Sequence, residues 1–243
     1  MTKTFTEIEK AFNAVGINQI NIEEFSRIIQ KEHDTNIADV IISEAKKMQW
    51  NVIYQFPEII DLFHSLDFEI DIRTKLLSTL TNEIDNLVGK DIEQIYIADA
   101  GCGVGIESCA LGWMYKDSVN ISGYDPKPER IIMAARRARK TNLDNITFHI
   151  SDHEKAAELI QPQDIVFAGN SIYYNNIKEF KQKYTLLKNI IKPQGLLIVQ
   201  SYVRNRGGLN RPFHLEIYKQ IGLTLESHSA CTVDIFNATL RVK

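Results

Sequence analysis

Apolar residues in the first ninety positions recur at the spacing of a helix. Ile8, Phe12 and Val15 share one face, as do Phe25, Ile28 and Ile29, and then Val40, Ile41 and Ala45. A longer run, Ile72, Leu76, Leu77, Leu80, Ile84 and Leu87, keeps the same rhythm. Asp71 is positioned to cap this run and Gly89 to stop it, while Pro57 interrupts the path between Trp50 and Ile59. Gly16 and Gly89 are the only glycines before position 91. The pattern predicts an all-helical segment of four to six helices over residues 1–90.

From Ile92 the grammar changes. Short apolar runs at 95–100, 119–125, 146–151, 164–170 and 196–203 read as strands. Amphipathic stretches at 106–115, 129–141, 177–191 and 214–221 read as helices between them. Two further strands, near 223–230 and 236–242, have no helix between them and are expected to close the sheet as an antiparallel hairpin. Strands alternating with helices require a mostly parallel sheet covered on both faces, so residues 91–243 read as one α/β domain behind a helical N-terminal segment. No internal repeat or low-complexity tract is present.

Composition narrows the function classes. Hydrophobic residues make up 44% and charged residues 24% of the 243, and the net charge is -3, so no overall basic charge points to nucleic acid. The cysteines are Cys102, Cys109 and Cys231, an odd number without a CxxC pair, which argues against a disulfide framework or zinc site. No metal is expected. No apolar run approaches a membrane span, and Met1–Lys10 lacks an apolar signal core, so a cytoplasmic protein is expected. Arg136, Arg137, Arg139 and Lys140 lie on one predicted helix and read as a solvated face.

The chemistry concentrates at Asp99-Ala-Gly101-Cys102-Gly103-Val-Gly105, where a strand must turn sharply into a helix. Glycine lets a backbone approach a ligand closely, and the following helix offers free N–H groups. The third glycine of a GxGxxG dinucleotide fingerprint would fall at Ile106, so that fit is incomplete. An acid at Asp99 disfavours a diphosphate and suits a cation such as the amino group of S-adenosylmethionine.

With these residues, the loop resembles motif I of class I S-adenosylmethionine-dependent methyltransferases. Later landmarks follow in order: Gly123-Tyr124-Asp125 ends the second strand, Ser151-Asp152-His153 the third, Asp164 to Asn170 forms the fourth, and Pro193-Gln-Gly195 introduces the fifth. The resemblance covers residues 92–243 and implies a seven-stranded Rossmann-like sheet in the order 3-2-1-4-5-7-6. It implies S-adenosyl-L-methionine as cofactor, with Asp125 on the ribose hydroxyls and Asp152 against the adenine amino group. Tyr124 and Pro126 border the same site, as do Cys102, His153 and Asn170. For Tyr124, stacking on adenine and completing a buried strand stay equally open.

His153, Asn170, Tyr173 and His214 are the candidates for the methyl-transfer end. Asn170-Ser-Ile-Tyr173-Tyr174 lacks the Asn-Pro-Pro-Tyr motif of enzymes that methylate bases or glutamine amides. A small-molecule oxygen or nitrogen acceptor is therefore expected. Trp50, Tyr54, Phe56, Phe63 and Phe68 could be core aromatics or line a substrate pocket under a helical cap. Three alternatives stay open: a protein or RNA methyltransferase, a non-catalytic cofactor-binding module, and a nicotinamide-dependent oxidoreductase. Oligomerisation also stays open.

Overall fold

The change of grammar near residue 92 marks the place where helices give way to a sheet. The computed structural model describes residues 3–47, 50–90, 92–172, 174, 176–202, 215–231 and 235–243. Among the described residues, six α-helices precede the sheet: α1 (Phe5–Ala14), α2 (Ile22–Glu32), α3 (Thr35–Lys46), α4 (Trp50–Ile53), α5 (Ile60–His64) and α6 (Asp67–Val88), with a 3-10 turn at Pro57–Ile59. Local caps account for the first three. Thr4 and Glu7 form a reciprocal capping box on α1, and the Asn21 and Asp34 side chains accept from the first turns of α2 and α3.

Helix α6 departs from the expected start. Asp71 lies inside it, bonded to Lys75 Nζ at 2.7 Å, and Leu66 is the N-cap residue with no side-chain bond. A tertiary contact replaces the local cap: Ile20 N–H donates to the Ser65 carbonyl at 2.8 Å, and Asp67 N–H donates to the Ile20 carbonyl at 3.0 Å. Gly89 ends the helix in an ordinary right-handed conformation.

The second part alternates strands and helices: β1 (Ile95–Ala100), α7 (Ile106–Met114), β2 (Val119–Asp125), α8 (Pro128–Lys140), β3 (Ile146–Ile150), α9 (Ala156–Leu159), β4 (Gln163–Gly169), α10 (Ile177–Asn189), β5 (Ile191–Tyr202), α11 (Leu215–Gln220), β6 (Leu223–Ala230) and β7 (Ile235–Val242). The sheet has seven strands in the order β3-β2-β1-β4-β5-β7-β6, the expected topology. The first five strands run parallel, and β7 pairs antiparallel with both β5 and β6. Strand β5 begins five positions early because Ile191 pairs with Gln163 before a register shift. The short helix α9 carries no periodic signal long enough to have been anticipated.

Each face of the sheet has its own apolar layer. One combines Ile97, Ile121 and Ile165 with residues of α1, α6 and α7, including Phe12, Leu77 and Leu111. The other joins Val166 and Val199 to Phe180, Tyr184 and Tyr218 of α10 and α11. A third cluster, with Phe25, Ile41 and Phe63 at its centre, belongs to α2 through α5. Helices α1 and α6 are thus built into the sheet's own core, while α2–α5 form a separate layer. Among the described residues, no helix is long and apolar enough to cross a membrane.

One cation ties these layers together. Arg136, Arg139 and Lys140 are exposed as expected, but Arg137 is not. It is only 7% exposed, and its guanidinium donates to the Val15 carbonyl at 2.6 Å, the Val104 carbonyl at 3.2 Å and the Asp61 carboxylate. Its apolar neighbours on α8, Ala134 and Ala138, face inward and carry the long stem with them. Arg137→Ala removes the donor from two carbonyls and is expected to cost about 2–4 kcal/mol in urea unfolding. Arg136→Ala is expected to change stability by no more than about 0.5 kcal/mol. Equal midpoints for the two variants would dismiss the clamp.

Candidate functional site

The carboxyl ends of the parallel strands meet at the loop between β1 and α7, where the backbone turns through three left-handed glycines: Gly101 (φ +77°), Gly103 (+55°) and Gly105 (+73°). Two of these have different duties. A Cβ on Gly105 would lie 2.7 Å from Ala134 Cβ and 2.9 Å from Phe148 Cζ, so this glycine lets α7 pack on α8 and β3. Among the described residues, a Cβ on Gly103 would meet only Tyr54 Oη, at 3.9 Å. The side of the loop at Gly103 is therefore open, and a ligand can lie against its backbone. At Gly101, the Ser171 side chain packs close and its hydroxyl donates to the Ala100 carbonyl, joining the loop to the segment after β4.

Asp99 lies behind this loop. Its buried Oδ2 accepts from the Ser108 hydroxyl at 2.6 Å, bracing β1 against α7. Burial, and then the Glu107 charge, push its pKa well above the usual carboxylate range. Cys102 is also buried, and burial followed by the Asp99 charge raises its thiol, so it is no nucleophile at neutral pH.

Asp125 ends β2 beside the open glycine. Its Oδ2 accepts from Gly103 N–H at 3.2 Å, its Oδ1 from Lys127 N–H at 2.9 Å, and Arg130 Nη1 stands 3.6 Å away. Pro126 is exposed immediately after it. Tyr124 is buried on the same strand, with its hydroxyl 3.1 Å from His153 Nδ1 and the two rings edge to face. Burial raises the pKa of this tyrosine and lowers that of His153. Asp152 is exposed, and its Oδ1 accepts from the backbone of Glu154 and Lys155 at 3.0 Å each.

Asn170, at the tip of β4, takes a left-handed conformation (φ +52°). Its orientation is set from a distance. Asn237 donates to the Lys75 carbonyl and the Thr79 hydroxyl at 3.0 Å each, so its Oδ1 is left to accept from Gln200 at 3.1 Å. Gln200 also donates to the Ile72 carbonyl at 2.9 Å, so its own Oε1 accepts from Asn170 at 3.1 Å. Backbone carbonyls only accept, and this fixes every amide in the chain. Asn170 is left with its carbonyl oxygen, buried and unpartnered among the described residues. Tyr173 and His214 lie outside the described residues.

Sequence reasoning missed a buried polar group contributed largely by the helical segment. Tyr54, His64, Glu69, Arg73 and Glu107 adjoin the loop, with Tyr54 Oη 3.0 Å from His64 Nε2 and His64 Nδ1 2.9 Å from Glu69 Oε2. Arg73 donates to Glu107 and, at 3.3 Å, to Glu69, and its Nη2 also stands 2.8 Å from His64 Nδ1. The Arg130 guanidinium lies 4.2 Å from the Tyr54 ring centroid, which links this group to Asp125. Glu69 and Arg73, at i,i+4 among the inward residues of α6, were the available signal. Of the aromatics expected in a core or pocket, Phe56, Phe63 and Phe68 pack within the α2–α5 layer, and Tyr54 alone among those whose side chains are described turns to the loop.

A family model described as a methyltransferase domain matches residues 93–229, more than half of the chain. No curated protein matches the chain. Among solved structures, the magnesium protoporphyrin IX methyltransferase of Synechocystis PCC 6803, solved with bound S-adenosylmethionine, is similar with a TM-score of 0.56 and 17% identity, over 73% of this chain and 84% of that one. A TehB-like S-adenosylmethionine-dependent methyltransferase from Corynebacterium glutamicum gives 0.51 and 17%, over 66% and 86%. A [4+2]-cyclase gives 0.51 and 16%, over 68% and 82%. At such identities the likeness is one of fold.

The raised pKa of Asp99 has a consequence for stability. The folded chain keeps a proton there that the unfolded chain releases above about pH 4. The stability tied to Asp99 is full below that pH and is lost as pH rises toward the raised value. Asp99→Asn keeps an oxygen for Ser108, so it is expected to match the parent near about pH 4 and to melt higher at about pH 7. An equal or lower melting point at neutral pH would mean that the carboxyl is ionised in the fold.

Proposed function

We propose that this chain, which belongs to the methyltransferase-domain family of class I S-adenosylmethionine-dependent enzymes, transfers a methyl group to an oxygen or nitrogen of a small molecule. The observation that carries the reading is the loop open at Gly103 beside the buried Asp125 carboxylate. Each carboxylate oxygen has two lone-pair sites, and the loop contacts of Asp125 use one on each. The remaining capacity suits the two hydroxyls of a ribose. The residues present thus fit S-adenosylmethionine.

In this reading Gly101, Cys102, Gly103 and Gly105 form the floor of the site, and Asp99 holds that floor through Ser108. Tyr124, Pro126 and His153 border the nucleoside, and the exposed Asp152 meets the adenine amino group. The Asn170 carbonyl oxygen, lacking a donor among the described residues, receives an N–H or O–H of the acceptor molecule. Bound S-adenosylmethionine supplies a methyl group already activated on sulfur. The chain's own task is to align the acceptor and exclude water. Residues 1–90 serve as the cap, with Tyr54 and its partners over the loop. A cleft covered in this way suits a small molecule better than an open docking platform.

Calorimetry with S-adenosylhomocysteine and with NAD tests the cofactor. Binding to the first and not the second is expected, and the reverse result would sink the reading. Asp125→Ala is expected to weaken S-adenosylhomocysteine by at least about tenfold, or roughly 1.4 kcal/mol. An unchanged dissociation constant would remove Asp125 from the site.

A further inference from the structure

The cofactor and acceptor contacts leave a line of three polar side chains without a part in the chemistry. Tyr54 Oη lies 3.9 Å from the position of a Cβ at Gly103, on the open side of the loop. Behind it stand His64 Nε2 at 3.0 Å and, beyond the ring, Glu69 Oε2 at 2.9 Å from Nδ1. His64 and Glu69 are buried, so among the described residues the phenol is the end of the line that faces the loop. Methyl transfer to an O–H or N–H acceptor frees a proton, and a site closed to water needs its own group to take it.

The surrounding charges suit that task. Glu69 and Arg73 of α6 and Glu107 of α7 face the imidazole, while Arg130 of α8 lies over the Tyr54 ring and stands against Asp125. Glu69 and Glu107 favour a proton on the imidazole, while burial and Arg73 oppose it more strongly, so the ring holds an added proton only in passing. Burial, and then the Arg73 charge 2.8 Å away, hold the His64 pKa below its ordinary value, so the resting ring is neutral. Burial pushes the Tyr54 phenol up to about 12, so it rests protonated.

We propose that Tyr54, His64 and Glu69 form a proton relay that accepts the proton released by the methyl acceptor, an inference that rests on the methyl-transfer reading above. The acceptor's lone pair forms the bond to the methyl carbon, and the carbon–sulfur electron pair stays on sulfur. The acceptor's proton passes to Tyr54 Oη as the phenol's own proton passes to His64 Nε2. Glu69 holds the resulting imidazolium through its Nδ1–H. Tyr54 is the catalytic residue of the relay, and His64 and Glu69 act through it. The relay requires the single ring proton on Nδ1, shared with Glu69 Oε2 at 2.9 Å although Arg73 Nη2, a donor only, stands 2.8 Å from the same nitrogen, and Nε2 then accepts from Tyr54.

Two measurements test the relay on the full chain. In nitrogen-15 spectra of histidine-labelled protein, His64 is expected to carry its proton on Nδ1, and Tyr54→Phe is expected to shift the Nε2 resonance. A proton on Nε2 in the resting protein would overturn the relay. With tritiated S-adenosylmethionine and a metabolite extract, Tyr54→Phe and His64→Gln are expected to slow labelling by about a hundredfold at neutral pH. S-adenosylhomocysteine affinity is expected to stay within about threefold of the parent. Parallel loss of affinity and rate would make Tyr54 a cofactor-holding residue and overturn the relay. If the parent binds S-adenosylhomocysteine but labels nothing, the small-molecule methyl-transfer reading fails and the relay with it, whereas a parent that labels beside variants of unchanged rate overturns the relay alone.

Discussion

The guanidinium of Arg137 is the contact on which the arrangement of the site depends. From one side chain on α8 it reaches the end of α1 through the Val15 carbonyl, the glycine loop through the Val104 carbonyl and the α5 helix through Asp61. A planar group with five donors can meet three acceptors in different directions, which an ammonium on a flexible stem does less well. The loop and the helical segment are thereby held against the same atom group. Tyr54 lies over Gly103, and His64 lies next to Tyr54, within the arrangement that this clamp secures.

The loop itself answers to opposing demands. Its backbone must reverse direction sharply enough for β1 to enter α7 while leaving a surface that a ligand can touch. Gly105 serves the first demand through its close approach to Ala134 and Phe148, and Gly103 serves the second because the nearest described side-chain atom facing it, Tyr54 Oη, would lie 3.9 Å from a Cβ there. Asp125 connects the two by accepting from Gly103 N–H, so the carboxylate at the end of β2 also fixes the loop. A similar economy governs Asn170. Carbonyls of α6, acting through Asn237 and Gln200, decide which end of its amide remains available. The helical segment therefore shapes the site twice, once through the Tyr54 group and once through these amides.

The solved structures of like fold include methyltransferases and a [4+2]-cyclase, so the sheet and its loop do not by themselves specify a reaction. In this chain the loop is met by Tyr54, just after α4, and by Asn170 at the tip of β4, with His64, Glu69 and Arg73 behind Tyr54. Buried polar groups at that position restrict what can bind more tightly than the apolar layers do, because each must be matched by a donor, an acceptor or a charge.

The sequence alone determined the alternation of strands and helices, the strand-to-helix turn at Gly101–Gly105 and the carboxylate at Asp125. Each is written in local terms: a period of apolar residues, a cluster of glycines, an acid at a strand end. The tertiary structure decided the rest. Helix α6 starts at Asp67 rather than beyond Asp71 because Ile20, remote in sequence, supplies the acceptor for its first N–H. Arg137 looked like one of four cations on a wet face, yet its partner Val15 lies 122 positions away. Glu107 shares no motif with His64 and Glu69 and joins them, through Arg73, only when α6 packs on α7. Local sterics and burial repeat along a chain and can be read from it. A polar partner is set by where distant elements come to rest, and that is known only after the apolar layers have packed.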